Sequence, residues 1–440
     1  MSLRDKAVQV VSHLRDAGFE AYLVGGCVRD MLLRTEPHDY DIATNAQPKD
    51  IKGLFDKVVE VGAEFGVSRV CIDNDWFEVA AFRTDLGYSD GRRPDAVEFT
   101  DAKGDVQRRD FTINGLLYDP LNDEVIDYVR GQDDMQNKLI RCIGDPVERF
   151  AEDKLRLLRA VRFAARLEYD IELNTLRAFP AATQTIGHVS AERIGTELLN
   201  IFTGAHADRA LGLLDETRLL IRLLPEVRAM KGVEQPPKFH PEGDVYVHTK
   251  LMLGMMTYPS PELALAVLLH DVGKPPTFQE TDRIRFNDHA RVGANMAAKI
   301  CRRLRMPNSV TEAVVELVAT HMHFLDIQQM RESHLKRFML EPCFEDALEL
   351  HRLDCLASHG NLETWRWCVD RYAELEPQHV RPPRLVSGHD LIEMGYTPGP
   401  QFKKILDAVD DAQLEGELET AEQAIEFVHQ RFPMTGSDEA

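Results

Sequence analysis

Two carboxylates separated by a single residue follow a glycine turn near the start of the chain. Asp39 and Asp41 flank Tyr40, and in an extended segment residues two apart point to the same face, so both carboxylates can bind one cation. Gly25 and Gly26 lie upstream, between a strand-like and a helix-like stretch, where the backbone can come close to an anion. This combination predicts a divalent metal site beside a phosphate site. A tight turn with a solvated acidic loop is the alternative.

Two further groups of polar residues follow in the same part of the chain. Glu78 interrupts the apolar alternation of FEVAAFR, so it lies either at a sheet edge or in the metal site as a third acid. Residues 108–114 (RRDFTIN) combine two arginines, a carboxylate and an amide. Arginine presents a planar fork to phosphate, and asparagine can hold a ribose hydroxyl. A charged helix cap explains the same residues equally well.

Charged residues then recur at helical spacing. Glu152 and Arg156 are four apart, so on one helix face an acceptor and a donor would sit side by side. By spacing alone, an ordinary ion pair is the better interpretation. Arg159, Arg162 and Arg166 continue the pattern and either contact nucleic-acid phosphates or are solvated.

A second set of potential metal ligands lies in the other half of the chain. A His-Asp pair ends the apolar stretch LALAVLLHDVGK, and burying such a pair is costly unless a metal or a partner binds it. Imidazole and carboxylate ligands suit transition metals, and Mg²⁺ is also compatible. A scaffold that has lost its metal is the alternative. The candidate ligands are His248, His270, Asp271, His289, His321 and Asp354.

The composition is that of a soluble multidomain protein. A chain of 440 residues with 44% hydrophobic and 28% charged residues favours two to four globular domains. The longest apolar run, Leu263–Leu269, is too short for a membrane span of roughly 20 residues, so we expect no membrane partner. The N-terminal MSLRDKA has no apolar signal core, and the seven scattered cysteines form no C-x-x-C pair. These features predict a cytoplasmic protein.

The net charge of −21 opposes nucleic-acid binding, because binders of phosphate backbones usually carry a basic surface. An RNA substrate therefore requires local basic clusters. Residues 154–166 and 302–305 are the candidates.

The pattern along the chain predicts an α/β head followed by helical domains. Residues 8–17 have helical periodicity, and from about residue 147 apolar residues recur every three or four positions. Breaks are expected near residues 144–146, 235–237 and 381–384, and residues 435–440 form an acidic tail. The predicted strands are 21–24, 58–61, 67–72, 76–82 and 116–118.

The order of these motifs resembles that of bacterial-type (class II) tRNA nucleotidyltransferases and their poly(A) polymerase relatives. The motifs are GGCVRD, HDYDIAT, FEVAAFR, YSDGRRPDAVEF, RRDFTINGLLYD and RFAEDKLRLLRAVRFAARL. The resemblance implies an α+β fold, with a polymerase β-like nucleotidyltransferase head built on a small mixed sheet with helices. An all-helical neck, an HD-type body and a tail would follow. The expected boundaries are 1–146 for the head, 147–235 for the neck, 236–380 for the HD-type domain and 381–440 for the tail.

The resemblance also implies roles for the residues of the first half. Asp39 and Asp41 would be ligands of Mg²⁺, and Glu78 the assisting catalytic acid. Arg159 and Arg162 would bind RNA. Nucleotide binding would fall to Gly25, Gly26, Arg29, Arg109, Asp110, Asn114, Glu152, Asp153 and Arg156, the last three selecting CTP or ATP.

The second half resembles HD-superfamily phosphohydrolases. His248, His270, Asp271 and Asp354 match the four core ligands, and His289 and His321 match the additional histidines of fuller sites. The resemblance implies a divalent metal, whose identity the sequence does not specify, and a phosphohydrolase activity of unspecified substrate.

Three functions follow from the resemblance. The first is addition of CCA, or of its terminal A, to the 3′ end of tRNA from CTP and ATP. The second is a poly(A) polymerase, and the third an HD hydrolase with an RNA-binding head. The intact acids oppose the third. Residues 61–70 resemble the CCA-type segment, which favours the first over the second. Residues 83–93 resemble the loop that addition of the final A requires, so full-CCA and A-only enzymes are not distinguished. The sequence does not indicate an oligomeric state.

Overall fold

The computed structural model describes residues 1–61, 66–87, 96–237, 240–375 and 383–433. It divides into two compact units, one formed by Met1–Ala229 with Ile300–Pro307 and the other by Met230–Lys299 with Asn308–Ala440. Parts of the segments 61–70, 83–93 and 381–384, and the whole acidic tail 435–440, lie outside the described residues. The predictions made on them stay predictions.

The first unit is built on a seven-stranded mixed sheet with the order β3-β4-β5-β2-β1-β8-β9. Its one parallel pair joins β2 and β5; the other neighbours are antiparallel. Strands β6 and β7 form a separate antiparallel pair, β10 and β11 a short parallel pair, and β12 and β13 a hairpin in the second unit. The strands are β1 Ala21–Val24, β2 Asp41–Thr44, β3 Val58–Glu60, β4 Val67–Ile72, β5 Asp75–Ala81, β6 Arg83–Leu86, β7 Ala96–Phe99, β8 Leu116–Asp119, β9 Glu124–Asp127, β10 Leu139–Ile140, β11 Asp170–Ile171, β12 Phe278–Glu280 and β13 Ile284–Phe286.

The sheet register brings two of the predicted acids to neighbouring strands. In β2, Ile42 is opposite Val79 of β5, so Asp41 and Glu78 come just before this pair on parallel strands. Both strands are central and hydrogen-bonded on each side, which fixes the position of their ends. The positions of the Asp41 and Glu78 carboxylates are therefore set by two strands that each have a hydrogen-bonded neighbour on both sides.

The helices of the first unit pack on this sheet and continue beyond it. The predicted helix at 8–17 is part of α1, which begins at a capping box made by Ser2 and Asp5. Helix α7 buries Leu157, Leu158 and Val161 against α9 and α10. The helices are α1 Leu3–Asp16, α2 Gly26–Leu32, α3 Pro48–Leu54, α4 Ala102–Gln107, α5 Gly131–Gln136, α6 Pro146–Glu152, α7 Leu155–Arg166, α8 Leu173–Thr183, α9 Ala191–Phe202, α10 Ala207–Glu216, α11 Leu219–Leu223 and α12 Pro225–Arg228, with 3₁₀ helices at Thr112–Asn114 and Ile186–His188.

In the described part of the second unit, the β12–β13 hairpin accompanies helices. Helix α14 is buried along its length from Leu263 to Leu269 and contacts α13, α17 and α19. A smaller apolar cluster around Leu391, Ile405 and Val428 joins the last three helices. The helices are α13 Val245–Met255, α14 Pro261–Leu269, α15 Lys274–Thr277, α16 His289–Arg303, α17 Asn308–Thr320, α18 Glu332–Met339, α19 Phe344–Ala357, α20 Glu363–Leu375, α21 Gly388–Glu393, α22 Pro400–Leu414 and α23 Ala421–Arg431, with 3₁₀ helices at His321–Leu325 and Ile327–Gln329.

The predicted fold class, a mixed sheet with helices followed by a helical remainder, is confirmed. The sequence pattern predicted five strands of the head and missed β2, β6, β7, β9 and β10. Within the described ranges, no helix is both long and apolar enough to cross a membrane.

Candidate functional site

A cleft of about 610 Å³ in the first unit gathers most of the residues predicted from the first half of the chain. We call it the arginine-rich cleft. Cationic side chains outnumber anionic ones along its walls. The cleft therefore has the local positive charge that an anionic ligand requires on an acidic protein. Its charged residues are Arg29, Arg83, Arg108, Arg109, Arg156, Arg159, Arg162 and Arg166, and Asp30, Asp39, Asp41, Asp85, Asp110 and Asp153.

Asp39 and Asp41 lie on one side of the chain, as predicted. Tyr40 between them is buried, whereas both aspartates are exposed to the cleft. The strand β2 begins at Asp41, so Asp39 precedes the strand. The segment before Asp41 follows Pro37 and has no strand partner, yet Asp39 lines the same cleft as Asp41.

The electrostatics of this group favour a cation. Limited hydration, followed by repulsion from Glu78 and Asp39, raises the pKa of Asp41 to about 6, although Arg109 lowers it. Carboxylates that repel one another in this way are stabilised by a divalent ion, whose hard character suits oxygen ligands. Glu78 is not among the residues lining the cleft, and the donor atoms of the three acids do not all lie within 4.8 Å of one another.

The glycine turn leads directly to two arginines. Gly25 has φ +78°, and a Cβ atom there would lie 3.2 Å from Nη1 of Arg109, so a side chain would press on that guanidinium. Arg29 is buried and donates from Nη1 to Oδ1 of Asn114 at 2.7 Å and from Nε and Nη2 to Asp30 at 2.9 and 2.7 Å. The turn and the arginines therefore form one wall of the cleft.

Asp110 is the centre of a buried hydrogen-bond network. Arg159 donates to its Oδ2 from Nε and Nη2 at 2.8 and 2.6 Å, and Asn114 Nδ2 donates to its Oδ1 at 3.0 Å. Burial opposes the charged form, but Arg159 and Asn114 outweigh it and lower the pKa of Asp110 to about 2. The carboxylate is thus ionised at neutral pH and fixes the orientation of Asn114.

One carboxylate that the sequence analysis missed holds two of the arginines. Asp105 in α4 is 1% exposed. Its Oδ1 accepts hydrogen bonds from Arg108 at 2.9 and 2.6 Å, and its Oδ2 accepts from Arg109 at 3.2 and 2.9 Å. Neighbouring Arg83 offers its backbone carbonyl to Arg108. The two guanidiniums are therefore fixed before any ligand binds.

Glu152 and Arg156 form an ion pair at 2.7 Å, but the prediction that they share one helix is wrong. Helix α6 ends at Glu152, and Asp153 adopts an extended conformation (φ −139°, ψ 105°) before α7 begins at Leu155. The chain breaks here because the Asp153 carboxylate accepts from the Leu155 amide at 3.0 Å and starts the next helix. The three predicted selecting residues consequently lie at a helix junction.

Partners of this junction fix its side chains. Arg156 is buried and also donates to the backbone carbonyls of Arg149 and Arg108 at 3.0 and 3.1 Å. Arg193 in α9 holds both oxygens of Asp153 at 3.2 and 2.7 Å. Three of the five guanidinium donors of Arg156 are used in these contacts and in the pair with Glu152, which leaves others for a ligand.

The two arginines predicted to bind RNA face the cleft and are not freely solvated. Arg159 pairs with Asp110, and Arg162 donates to Glu197 at 2.6 Å. Their guanidiniums lie 5.3 and 4.6 Å from the centre of the Phe163 ring. Both side chains are therefore held in place by a carboxylate and an aromatic ring.

The second unit brings together all six ligands predicted there. His248 lies in α13, His270 and Asp271 follow α14, His289 begins α16, His321 follows α17 and Asp354 lies in α19. Two groups of three have donor atoms within 4.8 Å of one another, namely His248, His270 and Asp354, and Asp271, His289 and His321. We call these six residues the HD ligand set.

The hydrogen bonds of the four histidines prepare them for metal binding. The Nδ1 atoms of His270, His289 and His321 face the carbonyl oxygens of Val267, Phe286 and Val318 at 2.9, 2.9 and 2.7 Å. A ring that donates from Nδ1 has an Nε2 lone pair available for a metal. The buried Nε2 atoms of His248 and His270 make no well-aligned hydrogen bond, and they lie 3.1 and 3.2 Å from carboxylate oxygens of Asp354 and Asp271.

Contacts inside the HD ligand set call for a cation. Nε2 of His289 and Nε2 of His321 lie only 3.2 Å apart, and two lone pairs at this distance repel unless a proton or a metal lies between them. Burial, and then nearby His270, lowers the pKa of His321 to about 3, so its ring is neutral at pH 7. A neutral imidazole is the form that binds a metal. The ligand set therefore fits one or two divalent ions.

Three further residues around the HD ligand set were not predicted. Lys274 is buried, with Nζ 2.7 Å from Oδ2 of Asp271 and 2.6 Å from Oε1 of Gln235. Glu242 faces Nδ1 of His248 at 2.7 Å. The signals for them were the Lys that follows the His-Asp pair by three positions and the His-Pro-Glu that precedes α13.

Comparisons with known proteins match both units. A family model described as the Poly A polymerase head domain matches residues 21–141. One described as the probable RNA and SrmB-binding site of polymerase A matches residues 168–231, and an HD domain model matches residues 248–357.

The similarity to CCA-adding enzymes extends over almost the whole chain. The CCA-adding enzyme of Lactobacillus helveticus is 31% identical over 423 residues, which cover 96% of this chain and 95% of that protein. That of a Geobacillus strain is 30% identical over 422 residues, with coverage of 96% and 95%. The crystal structure of the Bacillus stearothermophilus CCA-adding enzyme in complex with CTP is 26% identical, has a TM-score of 0.74 and covers 98% of this chain and 99% of that one. This chain, with its arginine-rich cleft and its HD ligand set, belongs to the family of CCA-adding enzymes, which are tRNA nucleotidyltransferases.

Proposed function

We propose that this protein adds CCA, or its terminal A, to the 3′ end of tRNA without a nucleic-acid template, using CTP and ATP. The arginine-rich cleft carries the proposal, because its cations face the carboxylates of Asp39 and Asp41, and Asp41 begins the central strand β2. That arrangement suits a nucleoside triphosphate whose α-phosphate is attacked by a 3′-hydroxyl, with pyrophosphate as the leaving group.

In this proposal the acids bind the metal and the arginines bind the nucleotide. Asp39 and Asp41, with Glu78 beside them, would hold a divalent ion, for which we propose Mg²⁺; such an ion supplies charge neutralisation at the reacting phosphate. The raised pKa of Asp41 supports a cation there. Arg109, held by Asp105 next to the glycine turn, would bind the triphosphate.

Asn114 is our proposed ribose contact, because Asp110 and Arg29 orient its amide from both sides. Arg29 would complete the triphosphate wall from its buried position. In this arrangement one hydrogen-bond network, formed by Arg29, Asn114 and Asp110, would position both the sugar and the phosphates. Charges fixed in advance in this way lower the barrier to group transfer.

Nucleotide choice would reside at the junction of α6 and α7. Arg156 keeps donors free beside its ion pair, and Asp153 offers acceptor capacity beyond its contacts with Arg193. Sites that hydrogen-bond a base edge discriminate strongly, because the wrong base leaves buried polar groups unpaired. Arg159 and Arg162 would contact RNA phosphates through the parts of their guanidiniums that face the cleft.

A second activity is proposed for the second unit. The HD ligand set, whose histidine and carboxylate donors cluster in two groups of three, would hold a divalent metal of unspecified identity, and hydrolysis of a phosphate ester is the chemistry that such a centre supports. We expect it to act independently of the head. The predicted domain boundaries at 146, 235 and 380 and the cytoplasmic location stay predictions.

Poly(A) polymerase activity is the second candidate, since the head model carries that description. One experiment separates the functions. Purified protein is incubated with tRNA transcripts that end before CCA or after CC, with CTP and ATP supplied separately. A full CCA enzyme incorporates C into the first and A into the second, an A-only enzyme extends the second alone, and repeated A on any RNA end would refute both tRNA assignments.

The HD activity needs its own assay. Hydrolysis of 2′,3′-cyclic and 2′-phosphates is measured with several divalent metals, for the wild type and for a variant lacking His270 and Asp271. Absence of hydrolysis and of metal retention in the wild type would contradict the proposal.

A further inference from the structure

A buried glutamate connects two imidazoles beside the HD ligand set. Oε1 of Glu242 lies 2.7 Å from Nδ1 of His248 and 2.9 Å from Nδ1 of His240. The glutamate side chain is 7% exposed, and its Oε2 has no hydrogen-bond partner. Because burying a carboxylate is costly unless it satisfies other groups, this position requires an explanation.

The position of His248 in its helix supplies one. The other three histidines lie at the ends of helices, where a carbonyl three residues earlier is available to Nδ1. His248 instead lies within α13, where the preceding carbonyls belong to the helix; that of Val245 also accepts from Thr249 Oγ1 at 2.9 Å. His248 therefore needs an acceptor from outside its own helix.

The loop before α13 presents this acceptor at a fixed position. Asp244 caps the helix by accepting from the Val247 amide at 2.8 Å, and its other oxygen accepts from the Gly232 amide at 2.7 Å. The ring of His240 packs edge-on against that of His248, with centroids 5.1 Å apart. Glu242 is thus held by the loop on one side and by His240 on the other.

On the opposite side, Nε2 of His248 faces the ligands. It lies 3.1 Å from Oδ1 of Asp354. His248, His270 and Asp354 form one group of clustered donors, and His240, Glu242 and His248 form another. We propose that Glu242 is a positioning residue of this centre: it keeps the Nδ1 proton on His248 and turns Nε2 toward His270 and Asp354. This inference rests on the proposed metal site of the second unit.

A carboxylate in this role has two effects on a metal. It fixes the ring orientation, and it makes the imidazole a stronger ligand through its negative charge. The backbone carbonyls that face the other three histidines fix the ring orientation but carry no negative charge to strengthen the ligand. His248 would therefore be the strongest imidazole ligand of the set, and its loss of orientation would weaken binding without removing a ligand.

The test measures Co²⁺ binding to the full-length protein by competition with a chelator and by the visible absorption of the bound ion. The variants are Glu242→Ala and Glu242→Gln, with Glu312→Gln as an exposed control on α17. We expect Glu242→Ala to weaken Co²⁺ binding about 10- to 100-fold, as partners of metal-bound histidines typically do. The absorption spectrum should change, while the number of ions bound at saturation should not. Glu242→Gln, which keeps an acceptor but lacks the charge, should fall between Glu242→Ala and the wild type.

The outcomes are distinguishable. Nucleotide incorporation by the head and an unchanged circular dichroism spectrum establish that each variant is folded. Wild-type affinity and spectrum in Glu242→Ala would refute the inference, and so would the loss of a whole ion at saturation, which would make Glu242 a ligand. If the wild type binds no more Co²⁺ than a variant lacking His270 and Asp271, the proposed metal site itself fails, and the inference fails with it.

Discussion

Replacement of Asp110 by asparagine tests how the cleft is held together. The carboxylate accepts two hydrogen bonds from Arg159 and one from Asn114, and its pKa falls from 3.8 to about 2 in the folded protein. Since one pKa unit corresponds to about 1.4 kcal/mol, ionisation of this group stabilises the fold by about 2 kcal/mol at neutral pH. Asp110→Asn keeps the shape but removes the charge, so it should cost about that amount.

The assay is urea unfolding of the first unit. In a background in which Trp365 and Trp367 are replaced by phenylalanine, the fluorescence of Trp76 in β5 reports on this unit alone. Asp133→Asn is the matched control, because Asp133 pairs with Arg130 at an exposed position. Exposed pairs contribute about 0 to 1 kcal/mol. We therefore expect a loss of about 2 kcal/mol for the Asp110 variant and less than half of it for the control.

The pH dependence has a definite sign. The folded-state pKa of Asp110 is lower than its unfolded value, so the stabilisation is complete above the unfolded pKa and disappears as the pH falls toward about 2. The difference between the wild type and Asp110→Asn should be constant from neutral pH down to about pH 5 and should shrink below about pH 4. A loss no larger than that of Asp133→Asn, or a difference that grows in acid, would refute the reasoning.

Four other predictions concern nucleotide incorporation and metal retention. Asp41→Ala should abolish nucleotide incorporation while the protein stays folded by circular dichroism, and near-normal incorporation would exclude Asp41 from the metal site. Arg156→Ala should change the preference between CTP and ATP in incorporation assays with all four nucleotides; an unchanged profile would leave only a structural ion pair. Arg193→Met, which releases Asp153, should alter the same preference by a smaller factor, and Arg193→Lys should restore part of it. The double replacement of His270 and Asp271 by alanine should abolish metal retention, measured by elemental analysis, but leave incorporation intact; loss of incorporation in folded protein would mean that the two units are coupled.

Much of the fold could be predicted from the sequence because its patterns are local. The period of the apolar residues indicated α1 and five strands of the head. The missed strand β2 begins at Asp41 and contains only four residues, too few for an alternation to be recognised next to a polar turn. The prediction of the family from the order of the motifs is confirmed by the relatives.

The contacts between distant residues could not be predicted. Asp153 and Arg193 are 40 positions apart, and spacing alone carries no information on such a pair. The break between α6 and α7 was missed for the opposite reason, since Glu152 and Arg156 satisfy the spacing of a continuous helix. Glu242 could not be predicted, because the sequence does not show that Nδ1 of His248, inside α13, takes its acceptor from outside the helix.

The single buried carboxylate of Asp105 has a thermodynamic consequence. It binds both Arg108 and Arg109, and the backbone carbonyl of Arg108 accepts from Arg156. The residue proposed for the triphosphate is therefore one hydrogen bond from this anchor, and the residue proposed for the base is two hydrogen bonds from it. Binding energy at the two ends of the nucleotide cannot be additive under these conditions, because residues that share a network show interaction energies of their own. A triphosphate that shifts Arg109 also changes the cost of accepting the wrong base, so affinity and fidelity in this cleft are linked quantities.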